Sequence, residues 1–227
     1  ITFSEWLLLV DEAKAPTNQK RAFWSVMAHE LGHQWFGDLV TMPWWDDIWL
    51  NEAFATWVQG RTTSELRPGD GTELNQLRAL QDAMATDSLV SSRQVRQDVR
   101  NGNDIANAFD DITYRKGAGV IAMFERLLGK DAFRAGIASY LNAHRGGNAT
   151  ADDLFAALSV AAGRDVGAPF RTFVNQPGVP LVQATLACVL VLLGSFEQIL
   201  GYFVPMAVFF LGLSALSVVR FPRPEPD

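Results

Sequence analysis

The chain carries three histidines, and two of them, His29 and His33, stand four residues apart in the stretch HELGHQWFGDLVTMPWWDDIWLNEAF from His29 to Phe54. Residues four apart share one face of a helix, so both imidazoles can aim a nitrogen at one point, as a tetrahedral zinc site requires. Glu30 lies beside that point. Catalytic zinc keeps three protein ligands and leaves its fourth place to water, so a third donor has to come from elsewhere. Glu52 follows His33 by nineteen positions, on a second helical segment that the intervening loop allows to fold back beside the first. The three ligands would then be His29, His33 and Glu52. The competing reading, hydrogen-bonded core histidines on an apolar helix, is weighed down by two of the three histidines falling at this spacing with a glutamate inside the pair and another downstream. Zinc held this way lowers the pKa of its water toward neutrality, and Glu30, too near to ignore but not a ligand, can take the proton as general base. The product is a hydroxide aimed at a carbonyl.

Other residues nearby carry weaker signals. His144 has no acidic or histidine company and reads as a surface or cap residue. Trp35, Trp44, Trp45 and Trp49 can form a ligand-stacking cage, although their place between the two ligand segments favours core packing. One of Asp46 and Asp47 can orient a ligand histidine, and a solvated loop carboxylate is an equal reading.

These side chains need a scaffold, which the hydrophobic pattern outlines. ITFSEWLLLV, residues 1 to 10, mixes β-branched and aromatic residues and predicts a short strand followed by a polar loop. Phe23, Met27, Leu31 and Trp35 recur at four-residue spacing and lay one apolar stripe along a helix from about Lys20 to Phe36. Asn51 to Gln59 predicts a second helix. A turn-rich break from Arg67 to Gly71 precedes a third, roughly Thr72 to Ala85. Ser88 to Asn107 is polar and reads as irregular. Helical character returns from Phe109, with Val120, Phe124, Leu127 and Leu128 on one side and Gly129 as terminator. Phe133 to His144 repeats the theme, Thr150, Asp152 and Asp153 offer cap chemistry to a helix ending near Gly163, and FRTFVNQPGVP closes the unit. The fold class expected is mainly α.

Bulk properties set the outer limits. In 227 residues with 48% hydrophobic composition there is material for one core plus an appendage. The net charge of −6 comes from acids and bases mixed along the chain, without the basic face that nucleic acid needs, so no nucleic-acid partner is expected. The single cysteine, Cys188, excludes an intramolecular disulfide. The chain opens at Ile1 without a basic-then-apolar leader and reads as an excised piece. Composition shifts after about residue 178. Ile199 to Val219 runs twenty-one residues without a charge, long enough for a transmembrane segment, whereas the almost wholly apolar stretch from Leu181 to Gly194, fourteen residues, is too short to separate a span from a buried helix. Residues 1–178 are therefore expected to form a catalytic domain fragment and 179–227 an apolar tail with one or two membrane-type helices, making membrane association through Ile199 to Val219 possible.

HELGHQWFGDLVTMPWWDDIWLNEAFATWV resembles the zinc-binding signature of the M1 family of metallo-aminopeptidases: the histidine pair, eighteen intervening residues, and the Asn-Glu pair carrying the third ligand. The likeness continues through DDITYRKGAGVIAMFERLLG and reaches FVNQPGVPLV. It implies a thermolysin-like α-helical catalytic lobe, one zinc ion on His29, His33 and Glu52, Glu30 as general base, and Tyr114 donating a hydrogen bond to the oxyanion of the tetrahedral intermediate. A phenol with an ordinary pKa near ~10 is protonated at neutral pH and can so donate. The implied substrate is a peptide, cleaved at its N-terminal bond. The family's GAMEN-type segment, which grips the substrate's amino group, would lie just before ITFSEW, so substrate-binding residues are not assigned, and an inactive membrane-tethered fragment or fusion product that binds zinc without turnover is the alternative. Gly32 stands where the motif more usually has alanine, a change that lowers helix propensity without touching a ligand. The stretch from Ala184 to Val219 more faintly resembles the last helices of amino-acid permease-type transporters.

Overall fold

The computed structural model describes residues 3–178, which belong to one compact unit. Its elements in chain order are α1 (Glu5–Leu8), α2 (Thr17–Gly32), β1 (Val40–Thr41), α3 (Trp49–Leu66), α4 (Thr72–Asp87), α5 (Gly102–Ile105), α6 (Gly117–Leu128), α7 (Lys130–Ala143), β2 (Gly147–Asn148), α8 (Ala151–Ala162) and α9 (Gly167–Val174). One π-helical turn, Ile112–Lys116, leads into α6. The unit is mainly helical, and β1 and β2 pair in parallel, Val40 opposite Gly147 and Thr41 opposite Asn148.

α3 is the central element, with Trp49, Leu50, Ala53, Phe54 and Ala55 all buried. Trp49 packs against Phe155 and Phe170 from α8 and α9, at centroid distances of 6.3 and 6.0 Å. Phe124 of α6 stacks on Phe170 at 4.0 Å. α2 lies along the other side of α3 and buries small residues, Ala28 and Gly32. A Cβ on Gly32 would sit 3.2 Å from the Ala55 Cα. The helix propensity lost at Gly32 thus goes with a close approach of two backbones, and that approach brings the histidines of α2 within reach of Glu52. The α8 start matches its cap chemistry: Thr150 accepts from the Asp153 amide at 3.3 Å while Asp153 accepts from the Thr150 amide at 2.8 Å. Gly129 follows the last residue of α6 with φ of 84°, a conformation that glycine adopts without steric cost.

Several expectations are corrected. Residues Glu5–Leu8 are helical rather than extended, with Leu8 and Leu9 amides bonded to the Ser4 and Glu5 carbonyls at 3.1 and 2.8 Å. No strand among the described residues lies alongside this segment, so a helical turn satisfies its backbone where an unpaired strand would not. The apolar stripe of α2 is only partly buried: Phe23 and Met27 are partly covered, but Leu31 and Trp35 are 52% and 51% exposed. α2 also stops at Gly32, four residues early, because the chain tightens through Gln34–Leu31 and Trp35–Gly32 bonds and turns at Gly37, whose φ is 144°. Of the four tryptophans only Trp49 is fully buried. Trp44 is 50% exposed, its indole donating to the Val99 carbonyl at 2.6 Å. The closing segment FRTFVNQPGVP begins inside α9 (Gly167–Val174), ahead of its Pro177 and Gly178.

Among the described residues no helix is long and apolar enough to cross a membrane. The expected membrane-type helices, Ile199 to Val219 included, lie outside the described residues.

Candidate metal and proton-transfer site

Three acceptor atoms converge between α2 and α3. His29 Nε2 lies 3.2 Å from His33 Nε2, and Glu52 Oε2 lies 3.3 Å from the first and 3.4 Å from the second. Helical period brings the two histidines onto one face, and Glu52, buried in the first turn of α3, is presented opposite them.

The outer nitrogens decide what those inner atoms can do. His33 Nδ1 lies 3.0 Å from the Phe36 carbonyl, which can only accept, so the neutral ring protonates Nδ1 and leaves Nε2 a bare lone pair. His29 Nδ1 lies 3.1 Å from Gln59 Oε1. Gln59 Nε2 donates to Ser25 Oγ at 2.5 Å, which turns the amide oxygen toward the imidazole. His29 Nε2 is accordingly an acceptor as well. Two lone pairs and a carboxylate facing one another at van der Waals distance repel unless a proton or a cation lies between them.

A cation fits. Donors held about 2.0–2.1 Å from a tetrahedral zinc are separated from each other by about 3.3–3.4 Å, and the three separations observed are 3.2, 3.3 and 3.4 Å. His29, His33 and Glu52 also form the group of donors able to hold a metal among the described residues. In the absence of a cation a proton on Nε2 has Glu52 as its acceptor: the hydrogen bond to Glu52 raises the His33 pKa against the opposing effect of burial. Burial pushes the Glu52 carboxyl up, but hydrogen bonds from His29 and His33, the charge of His33 and the Tyr114 hydroxyl outweigh it and hold the group at about 2. Glu52 is therefore ionised at neutral pH.

The other two expected residues stand beside this cluster. Glu30 is half-buried on α2, outside the donor set, and its charge reaches both His33 and Tyr114. Tyr114 sits on the π-helical turn, its ring stacked on that of His29 with centroids 5.9 Å apart and planes 18° apart. Burial first, then the charges of Glu52 and Glu30, raise its hydroxyl pKa well above the ordinary phenol value. His144 stands at the end of α7 against Tyr140, apart from the donor group.

Neither Asp46 nor Asp47 orients a histidine. Asp46 accepts from the Val99 amide at 2.5 Å. Asp47 is buried and accepts from Arg96 Nε at 2.6 Å, Trp49 Nε1 at 3.3 Å and the Ala151 amide at 3.3 Å, so it ties the start of α3 to α8. The orienting role falls to Gln59 and Ser25, which the sequence reading missed. Gln59 lies seven residues after Glu52, two helical turns along the same face, and that spacing is the signal that could have found it.

The peptidase family M1 domain model matches residues 1–173 of the 227. The chain belongs to peptidase family M1. Its relatives include "Probable aminopeptidase 2" of Sulfurisphaera tokodaii, 41% identical over 189 residues that cover 82% of this chain and 24% of that protein. "Leucyl aminopeptidase" of Saccharolobus solfataricus is 38% identical, with 82% and 24% covered, and "Aminopeptidase N" of Lactobacillus helveticus is 39% identical, with 82% and 22% covered. This M1 chain spans about a quarter of the length of the curated relatives it matches.

Proposed function

We propose that this chain carries the zinc-binding and proton-transfer core of an aminopeptidase, a hydrolase that removes N-terminal residues from peptides. The observation that supports it most directly is the convergence of His29 Nε2, His33 Nε2 and Glu52 Oε2 at 3.2 to 3.4 Å. Those distances match a tetrahedral zinc with one position left open. Family membership and the aminopeptidase names of the relatives support the reaction class.

In this reading His29, His33 and Glu52 hold one zinc ion, which when bound acidifies a water and polarises a carbonyl. The protein's own groups do the rest. Gln59 and the Phe36 carbonyl hold the two imidazoles in the tautomer that presents Nε2. Glu30, one residue from His29 and free of the donor set, accepts a proton from the attacking water and returns it to the leaving amine. Tyr114 keeps its proton through neutral pH because burial and two nearby carboxylates oppose its ionisation. It can therefore donate to the oxygen on which negative charge develops, an interaction stronger in the transition state than in the ground state.

The test combines zinc stoichiometry with hydrolysis of an aminoacyl-p-nitroanilide, comparing the full chain with a Glu30→Gln variant. One zinc per chain and turnover lost in the variant are expected. A zinc-loaded chain without Glu30-dependent turnover would show a metal-binding remnant instead, and a folded chain that takes up no zinc would overturn the metal assignment.

A further inference from the structure

The π-helical turn that carries Tyr114 is a wide, weakly bonded conformation, which needs support from outside its own backbone. Two charged clamps grip it. At its start Asp110 Oδ1 accepts the amides of Ile112 and Thr113 at 2.9 and 3.2 Å. Arg93 locks that carboxylate with Nε at 3.0 Å from Oδ2 and also donates to the buried Thr113 hydroxyl at 2.7 Å. At its end Lys116 Nζ lies 2.8 Å from Asp87 Oδ2, with the two side chains only 12% and 3% exposed. Asp87 Oδ1 receives the Ser92 hydroxyl at 2.8 Å and the Gly178 amide at 2.9 Å, and Lys116 also donates to the Gln176 carbonyl at 3.3 Å. Behind the turn, a Cβ on Gly117 would sit 2.7 Å from the Ala53 Cβ, so the turn is pressed onto α3 beside Glu52.

A buried ion pair is weak evidence for stability, because desolvation of both ions offsets much of their attraction; in some proteins such a pair instead fixes a geometry. Removing either charge alone leaves the other unpaired, whereas apolar or neutral replacement of both is tolerated. We propose that Asp87 and Lys116 are positioning residues: their ion pair, tied to the turn after α9 through Gln176 and Gly178, sets where the Tyr114 hydroxyl stands relative to His29 and Glu52. The consequence for turnover rests on the aminopeptidase reading above, while the position of Tyr114 does not.

The chain has three tyrosines, so 3-fluorotyrosine labelling gives a short 19F spectrum in which a Tyr114→Phe variant assigns the Tyr114 signal. The test compares the zinc-loaded full chain with an Asp87→Asn/Lys116→Met double variant, which removes both charges together. The expected result is a displaced or broadened Tyr114 signal at unchanged zinc stoichiometry, with kcat lower by about a hundredfold and KM little changed, the size expected when a transition-state donor is misplaced by about 1 Å. An Asp87→Glu variant keeps the charge but lengthens the arm, and it carries the same 19F test if the double variant does not fold. A folded, zinc-loaded variant whose Tyr114 signal coincides with that of the parent overturns the proposal. If the parent itself shows no turnover, the aminopeptidase reading fails, and the 19F comparison still decides the positioning role.

Discussion

Replacing Gln59 by leucine separates the support of the proposed metal site from its proposed ligands. The substitution keeps similar bulk on α3 but removes the acceptor 3.1 Å from His29 Nδ1. Its first effect is to leave that N–H without a partner in a site where the His29 side chain is only 14% exposed, an unmet donor costing roughly 1–3 kcal/mol. The second is to free the ring to rotate or to change tautomer, which withdraws Nε2 from its partners. Loss of such a partner weakens metal binding by about 10- to 100-fold, which corresponds to about 1.4 to 2.7 kcal/mol. Competition against a chromogenic chelator at fixed pH measures this directly and needs no substrate. Melting at fixed zinc supplies a second reading, because a ligand that binds only the folded state stabilises it in proportion to the logarithm of its affinity. The zinc-dependent part of the Tm should fall by about 3–10 °C for a unit of this size. A Gln59→Glu variant should move the other way, since a charged acceptor makes a stronger bond to the imidazole. A folded Gln59→Leu chain that binds zinc within about twofold of the parent would refute the reasoning, and the acceptor would then be incidental.

Three further outcomes concern the scaffold. A Cβ on Gly136 would lie 2.8 Å from Leu158 Cδ2 and 3.0 Å from the Leu158 Cα, so Gly136→Ala pushes α7 off α8; the overpacking, partly offset by helix propensity, should cost about 1–2 kcal/mol, and a Tm equal to the parent's would contradict it. Asp47→Ala leaves Arg96, the Trp49 indole and the Ala151 amide without their acceptor. Chemical denaturation should show a loss of roughly 2–3 kcal/mol, less than for a fully buried pair because the Arg96 side chain is 36% exposed. Asp153 titrates below its ordinary range because the Thr150 amide, against some desolvation, and then the Thr150 hydroxyl favour its charged form. Its folded pKa being depressed, the cap stabilises fully above the unfolded value near ~3.9 and fades as pH falls through the folded value. The Tm difference between the parent and Asp153→Asn should therefore be steady at neutral pH and shrink below about pH 4; a difference that grows on acidification would reverse the assignment.

What could be read from the chain alone is what depends on short sequence separation. Four-residue spacing aligns His29 with His33 whatever surrounds them, Thr150 and Asp153 cap α8 through bonds three residues apart, and Gly129 ends α6 because of its own backbone freedom. The apolar stripe of α2 shows where such reasoning stops: periodicity reports a face but not which neighbour covers it, and close packing chose the small residues Ala28 and Gly32 over Leu31 and Trp35. Residues 5–8 show the same limit, since a strand needs a partner that no local pattern can supply. Glu52 was named as a candidate third donor from spacing and family resemblance, yet its separations of 3.3 and 3.4 Å from the two imidazoles follow from the contact of α2 with α3. Gln59 against His29, thirty residues apart, Asp87 against Lys116, and Asp47 against Ala151 were decided only in three dimensions. A polar side chain by itself does not say which distant donor or acceptor it will meet; desolvation requires that a buried group find one, and the packing of the helices decides which.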